Sequence, residues 1–109
     1  AGQIYTIAAN EMITVNGYLQ TLSEIMNKQV EVIHVDPKRY EEFEVDVFPF
    51  GWGVSSVYSN EKARRDLNWD PRYNIRDGLY MIYRWWLEQG YDKEPWDFEE
   101  EDRILSKLT

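Results

Sequence analysis

At 109 residues the chain has the length of one domain with a single modest core, burying roughly 60 to 68% of the surface its unfolded form exposes. The absence of cysteine excludes disulfides and thiolate chemistry and fits a reducing cytoplasm. With no apolar run near the ~20 residues that span a bilayer and no signal-peptide pattern, a soluble cytoplasmic chain is expected, and a net charge of −8 has the wrong sign for tracking phosphates.

Gly2 to Ala9 reads as a short strand covered on both faces, because Ile4, Tyr5 and Ile7 sit close together without polar alternation. Thr14 then caps a helix from Val15 to about Lys28, with Val15, Tyr18, Leu22, Ile25 and Met26 on one face. Glu31 to Asp36 reads as a second strand, which makes the three elements a βαβ-like unit. Lys38 to Phe43 suggests a helical turn and Glu44 to Phe48 an edge strand. The aromatic, glycine-containing FPFGWG (Phe48 to Gly53) reads as a loop pinned by its own rings. Phe48, Phe50 and Trp52 have the chemistry to stack on a base or sugar, although burial under helices is the plainer use of such rings.

Ser59 is placed to cap a helix over Asn60 to Leu67, with Glu61 in the first turn where its charge meets the positive helix end. Pro71 stops that helix and holds Asp70 extended, so that Trp69 is predicted to wedge into the junction. Asn74 opens the next helix with Asp77 in a capping-box position. Its stripe is Ile75, Leu79, Ile82 and Trp86, with Tyr83 and Leu87 beside it and Gly90 at the end. Consecutive residues cannot face one core, so either Trp85 or Trp86 must look elsewhere. Asp97 and Glu100 open a last helix to about Leu108. Glu88 to Asp102 holds eight acidic residues against one lysine, which suits a solvated helix better than a partner-binding tail.

Candidate chemistry is sparse. The six glycines are scattered and form no phosphate cradle, so no cofactor site is expected within the chain. His34 stands without cysteine or a second histidine at ligand spacing, and no metal site is expected.

Lys62-Ala63, Leu67-Asn68-Trp69-Asp70-Pro71 and Gly78-Leu79, taken in that order, resemble the C-terminal lobe of the extended short-chain dehydrogenase/reductase superfamily, the NAD(P)-dependent sugar-nucleotide epimerases and dehydratases. Gly2 to Ala8, Ile13-Thr14 and Glu31 to Pro37 are similar to that lobe's preceding strands and helix start. Asp36-Pro37-Lys38, Phe48-Pro49-Phe50 and Asp97-Phe98 most resemble an atypical branch, the chloroplast stem-loop RNA-binding proteins.

The resemblance implies an α/β fold: a small C-terminal, substrate-side lobe of a Rossmann-type protein, with short strands and about four helices. It implies that residues 1–109 are a single domain of a larger parent whose N-terminal Rossmann half, carrying the NAD or NADP site and the catalytic residues, is absent here. Tyr58-x-x-x-Lys62 imitates the superfamily's catalytic pair, but Lys62 matches the lobe's Lys-Ala motif instead. No catalytic residue is therefore expected, and the fragment alone should be inactive. Lys38 and Arg39 stand where those enzymes carry an arginine pair that holds the diphosphate, with a solvated surface pair as the alternative. A nucleotide sugar, RNA and the missing Rossmann half are the implied partners. The third alternative is a structural dimerisation lobe, and self-association of the isolated chain is expected.

Overall fold

The computed structural model describes residues 2–43 and 55–108. Four helices and two short 3₁₀ turns make up its regular structure: α1 (Val15–Met26), a turn at Pro37–Glu42, α2 (Glu61–Leu67), α3 (Ile75–Glu88), a turn at Tyr91–Lys93, and α4 (Glu99–Leu108). The chain divides into two compact units, one made of Ala1–Glu31 with Ser56–Asp92 and the other of Val32–Ser55 with Lys93–Thr109. None of the described helices is long and apolar enough to cross a membrane.

The expected α/β architecture is not what forms, since among the described residues there is no strand and no sheet. A strand is defined by its ladder, and β propensity acts only where a pleated neighbour is available. For the stretch Gly2 to Ala9, the partners are side chains: the Ile4 carbonyl accepts from Lys62 Nζ at 3.0 Å and the Ala8 carbonyl from Asn60 Nδ2 at 2.8 Å. Ile4 and Ile7, expected to be covered on both faces, are 86% and 61% exposed. Residues 31–36 likewise lie outside regular structure, with Val32 and Ile33 exposed. The edge strand and FPFGWG loop expected beyond Phe43 fall outside the described residues.

The helices follow their local signals. Thr14 caps α1, its Oγ1 accepting from the Gly17 N–H at 3.0 Å, and Asn27 ends it in the left-handed conformation at φ 50°. Lys28, which the apolar period had carried into the helix, lies past that stop, its N–H donating to the Ser23 carbonyl. Helix α2 starts one residue later than its sequence suggests, with Asn60 as N-cap, yet the Ser59 Oγ still accepts from the Glu61 N–H at 3.3 Å. Asn68 closes α2, again at φ 50°, a conformation that asparagine tolerates better than most side chains.

In the first unit α1 packs against α3. The Asn74 Oδ1 accepts from the Asp77 N–H at 2.7 Å, and the Glu11 carboxylate accepts from the Ile75 N–H at 2.9 Å, so two orphan donors of α3 are satisfied. Leu79 is buried, with Tyr83 and Trp86 half-buried and their rings stacked at 6.3 Å. Ile82, placed on the inward stripe by the sequence, is instead 62% exposed, and Tyr83 takes that role. Trp85 is the outward indole, half exposed and edge-on to Tyr91 at 5.7 Å. Among the described residues only Ala63 and Leu79 are buried apolar side chains. Trp69, expected as a packing wedge at the junction, is half-buried.

Candidate functional site

Residues 8–13 and 56–61, with Arg64, line an open groove of about 640 Å³ in the first unit. Its position follows from Asn60, the buried N-cap of α2. Because Ser59 already serves the first turn of that helix, the Asn60 amide is free to point the other way. There it donates to the Ala8 carbonyl at 2.8 Å and to Asn10 Oδ1 at 2.7 Å.

Asn10 passes the chain of bonds on, its Nδ2 donating to Asp70 Oδ1 at 3.2 Å. Arg64 Nε meets the same carboxylate oxygen at 3.2 Å, and the Arg64 N–H donates to the Asn60 carbonyl at 3.1 Å. Three hydrogen bonds and one ion pair thus link the four residues in a closed ring that joins the segment after Ala8, the start of α2 and the Asn68-to-Pro71 corner. With Glu11 engaged at the start of α3, the lining groups left to meet a ligand are Ser56, Tyr58 and Glu61. Tyr58 is 67% exposed, which leaves one ring face open for stacking. Hydroxyls, a carboxylate and an aromatic face suit a polyhydroxylated, hydrogen-bonding ligand better than a free anion.

Lys62 does not serve the groove. Its ammonium is held by Gln3 Oε1 at 2.9 Å and the Ile4 carbonyl at 3.0 Å, and lies 4.8 Å above the Tyr5 ring. It acts as a clamp on residues 3–5, while Tyr58 sits before the helix begins.

Lys38 and Arg39 lie in the second unit, on the turn Pro37–Glu42. The Arg39 guanidinium is turned inward to the Glu42 carboxylate, with bonds of 3.0 to 3.2 Å, and to the Lys107 carbonyl at 3.0 Å, near the negative end of α4. The Glu42 hydrogen bond raises the Arg39 pKa further, and the same bond holds the Glu42 carboxyl below its usual range. Lys107 returns the contact by donating to the Glu42 carbonyl at 3.0 Å, and its ammonium lies 5.9 Å from the Phe43 ring centre. Lys38 is exposed, with its backbone N–H on Asp36 Oδ1 at 3.0 Å. Phe48, Phe50 and Trp52 fall outside the described residues.

Charge pairing extends across the surface. Among the described residues six of the seven arginines, all but Arg72, sit in an ion pair with a carboxylate. No group of three His, Cys, Asp or Glu among the described residues could hold a metal ion. Sequence reasoning missed the groove because the signal was ambiguous: Ser59 and Asn60 are both good caps, and only the fold decides which of them is spare.

No protein-family model matches the chain, and no solved structure matches it. The chain is similar to the chloroplast stem-loop binding protein of 41 kDa b of Arabidopsis thaliana, with 27% identity over 106 residues. That alignment takes in 96% of this chain and 28% of the length of the relative.

Proposed function

We propose that this chain is the non-catalytic, substrate-side lobe of a larger protein resembling the NAD(P)-dependent nucleotide-sugar epimerases and dehydratases, with the groove as one wall of the ligand site. The observation that carries this reading is the Asn60–Asn10–Asp70–Arg64 ring, which fixes the groove while leaving Ser56, Tyr58 and Glu61 available. A wall built that way orients a ligand at little entropic cost when binding occurs. In this reading NAD(P) itself is held outside this chain. Gly17 lies inside α1, and an added Cβ there would meet Ile13 and Thr14 of its own helix start at 3.2 Å, not an open space for a pyrophosphate. Chemistry therefore belongs to another part of the parent in this reading, and Lys38 remains a candidate diphosphate contact.

A second reading, RNA binding, is favoured by the similarity to the stem-loop binding protein over 96% of the chain. Electrostatics weighs against it, because phosphate binding gains its free energy by releasing counterions onto clustered, unpaired cations. Here six of the seven arginines already pair with carboxylates of this chain, and the net charge is −8.

The two readings separate in one pair of titrations. Uridine and other nucleotide sugars, followed by amide chemical shifts, should move residues 8–13 and 56–64, and Tyr58→Ala should weaken the binding while Tyr58→Phe keeps it. Tight stem-loop RNA binding that falls steeply with salt, without any response to nucleotide sugars, would replace the first reading with the second.

A further inference from the structure

We propose that the groove selects a sugar bearing a protonated amine, an amino sugar in its cationic form; this rests on the ligand-wall reading and names the substrate class within it. Among the described residues the lining carries two carboxylates, Glu11 and Glu61, and a single cation, Arg64. Arg64 is already committed to Asp70 at 3.2 Å. The other two cations of α2 are engaged as well, Lys62 by Gln3 and the Ile4 carbonyl, and Arg65 by Asp66 at 2.9 Å. Glu61 uses its backbone N–H on Ser59 Oγ, while its carboxylate has no partner among the described residues. Glu11 gives one oxygen to the Ile75 N–H at 2.9 Å and keeps the other.

Tyr58 supplies what a bare pair of carboxylates lacks. Its ring is 67% exposed, and the open face of an aromatic ring is the negative part of its quadrupole. An ammonium group donates N–H bonds and accepts none, so it matches an acceptor-only carboxylate and a ring face together. A hydroxyl or an acetamide in the same place gains hydrogen bonds alone. Ser56, on the same lining, leaves a hydroxyl for the neutral part of the sugar.

The same charges set the orientation of a nucleotide-linked sugar. Carboxylates without a counter-cation repel a diphosphate, so the amine-bearing ring enters the groove and the phosphates stay outside it. At an exposed site a carboxylate–ammonium pair and a cation–π contact each contribute a few-fold in affinity. Together they give about a tenfold preference for the cationic sugar over its neutral analogue, narrowed by added salt.

Three probes test this on the 109-residue chain by amide chemical shifts: methyl glucosaminide with its amine protonated, methyl N-acetylglucosaminide and methyl glucoside. The glucosaminide should move residues 8–13 and 56–64 at about tenfold lower concentration than the two neutral glycosides. Glu61→Gln should abolish that preference while keeping the weaker neutral binding, and Tyr58→Leu should reduce it where Tyr58→Phe does not. Equal affinity for all three probes, unchanged by Glu61→Gln, would overturn the amine assignment and leave the ligand wall standing. A glucosaminide that moves the acidic residues 97–102 as strongly as the groove would report net charge alone, and would overturn it too. If neither these glycosides nor nucleotide sugars move the groove residues, the ligand wall itself falls and the amine assignment with it.

Discussion

Asn60 holds the groove together through two hydrogen bonds from one buried amide, so its chemistry can be read out by substitution. Asn60→Ala leaves the Ala8 carbonyl and Asn10 Oδ1 without their donor, and should cost about 1 to 3 kcal/mol in urea unfolding. Asn60→Asp is more informative because it keeps the shape and reverses the sense of the bonds. The introduced carboxylate faces two acceptor oxygens in a buried position, which raises its folded pKa above the unfolded value. Its destabilisation is therefore full above that folded pKa and should be relieved as the pH falls through it toward the unfolded value; equal destabilisation at pH 7 and pH 4 would show that the amide does not donate there. The Ser-Asn pair was visible in the sequence as a helix start, but which of the two side chains would turn inward was not. That choice depends on the Ala8 carbonyl and Asn10, some fifty residues away.

At the scale of elements, helices were legible and strands were not. The caps at Thr14 and Asn74 and the stop at Gly90 act within a few residues, so local chemistry decides them. The backbone partners of Gly2 to Ala9 are set by distant residues, and a run of β-branched and aromatic side chains cannot name them. In α3 the period located the helix but erred on its face: Ile82 and Tyr83 fit an apolar stripe equally well, and ring stacking against Trp86 favours Tyr83. Asn68 offers a test of how the Asn68-to-Pro71 corner is built. Its φ of 50° predicts that Asn68→Gly leaves stability within about 0.5 kcal/mol, whereas Asn68→Ala should lose about 1 kcal/mol in thermal or urea melts. Equal effects from the two would mean that the left-handed stop is not kept in solution.

For the molecule as a whole, the balance shifts from apolar core to polar ties. With only Ala63 and Leu79 buried among the described apolar residues, the first unit relies on long-range polar contacts such as that between Arg76 Nη1 and Glu24 Oε2 at 2.6 Å, which ties α3 to α1. The hydrogen bond from Arg76, and then its charge, hold the Glu24 carboxyl below its ordinary value of 4.5. A carboxyl with a lowered folded pKa contributes stability above its unfolded pKa and loses it as the pH falls through the folded one. The melting-temperature gap between the wild type and Glu24→Gln should therefore be present near neutrality and close in acid below about pH 4. A gap unchanged at pH 3 would show that the carboxylate charge plays no part in the tie. Both partners are about half exposed, so added salt should narrow the gap as well.

The Lys62 clamp also sets an order of events during folding. Residues 3–5 are placed by an ammonium that lies 58 and 59 positions further along the chain, at Ile4 and Gln3 respectively. Contacts that distant in sequence must meet the entropy of closing a long loop before they return anything, and they form after local helices have done so. During synthesis this segment thus waits for α2 before it has a place to rest. Until Lys62 has emerged, Ile4, Tyr5 and Ile7 are an apolar stretch without a charge or proline to guard it, so the interval between the two is when the nascent chain is most open to mispairing.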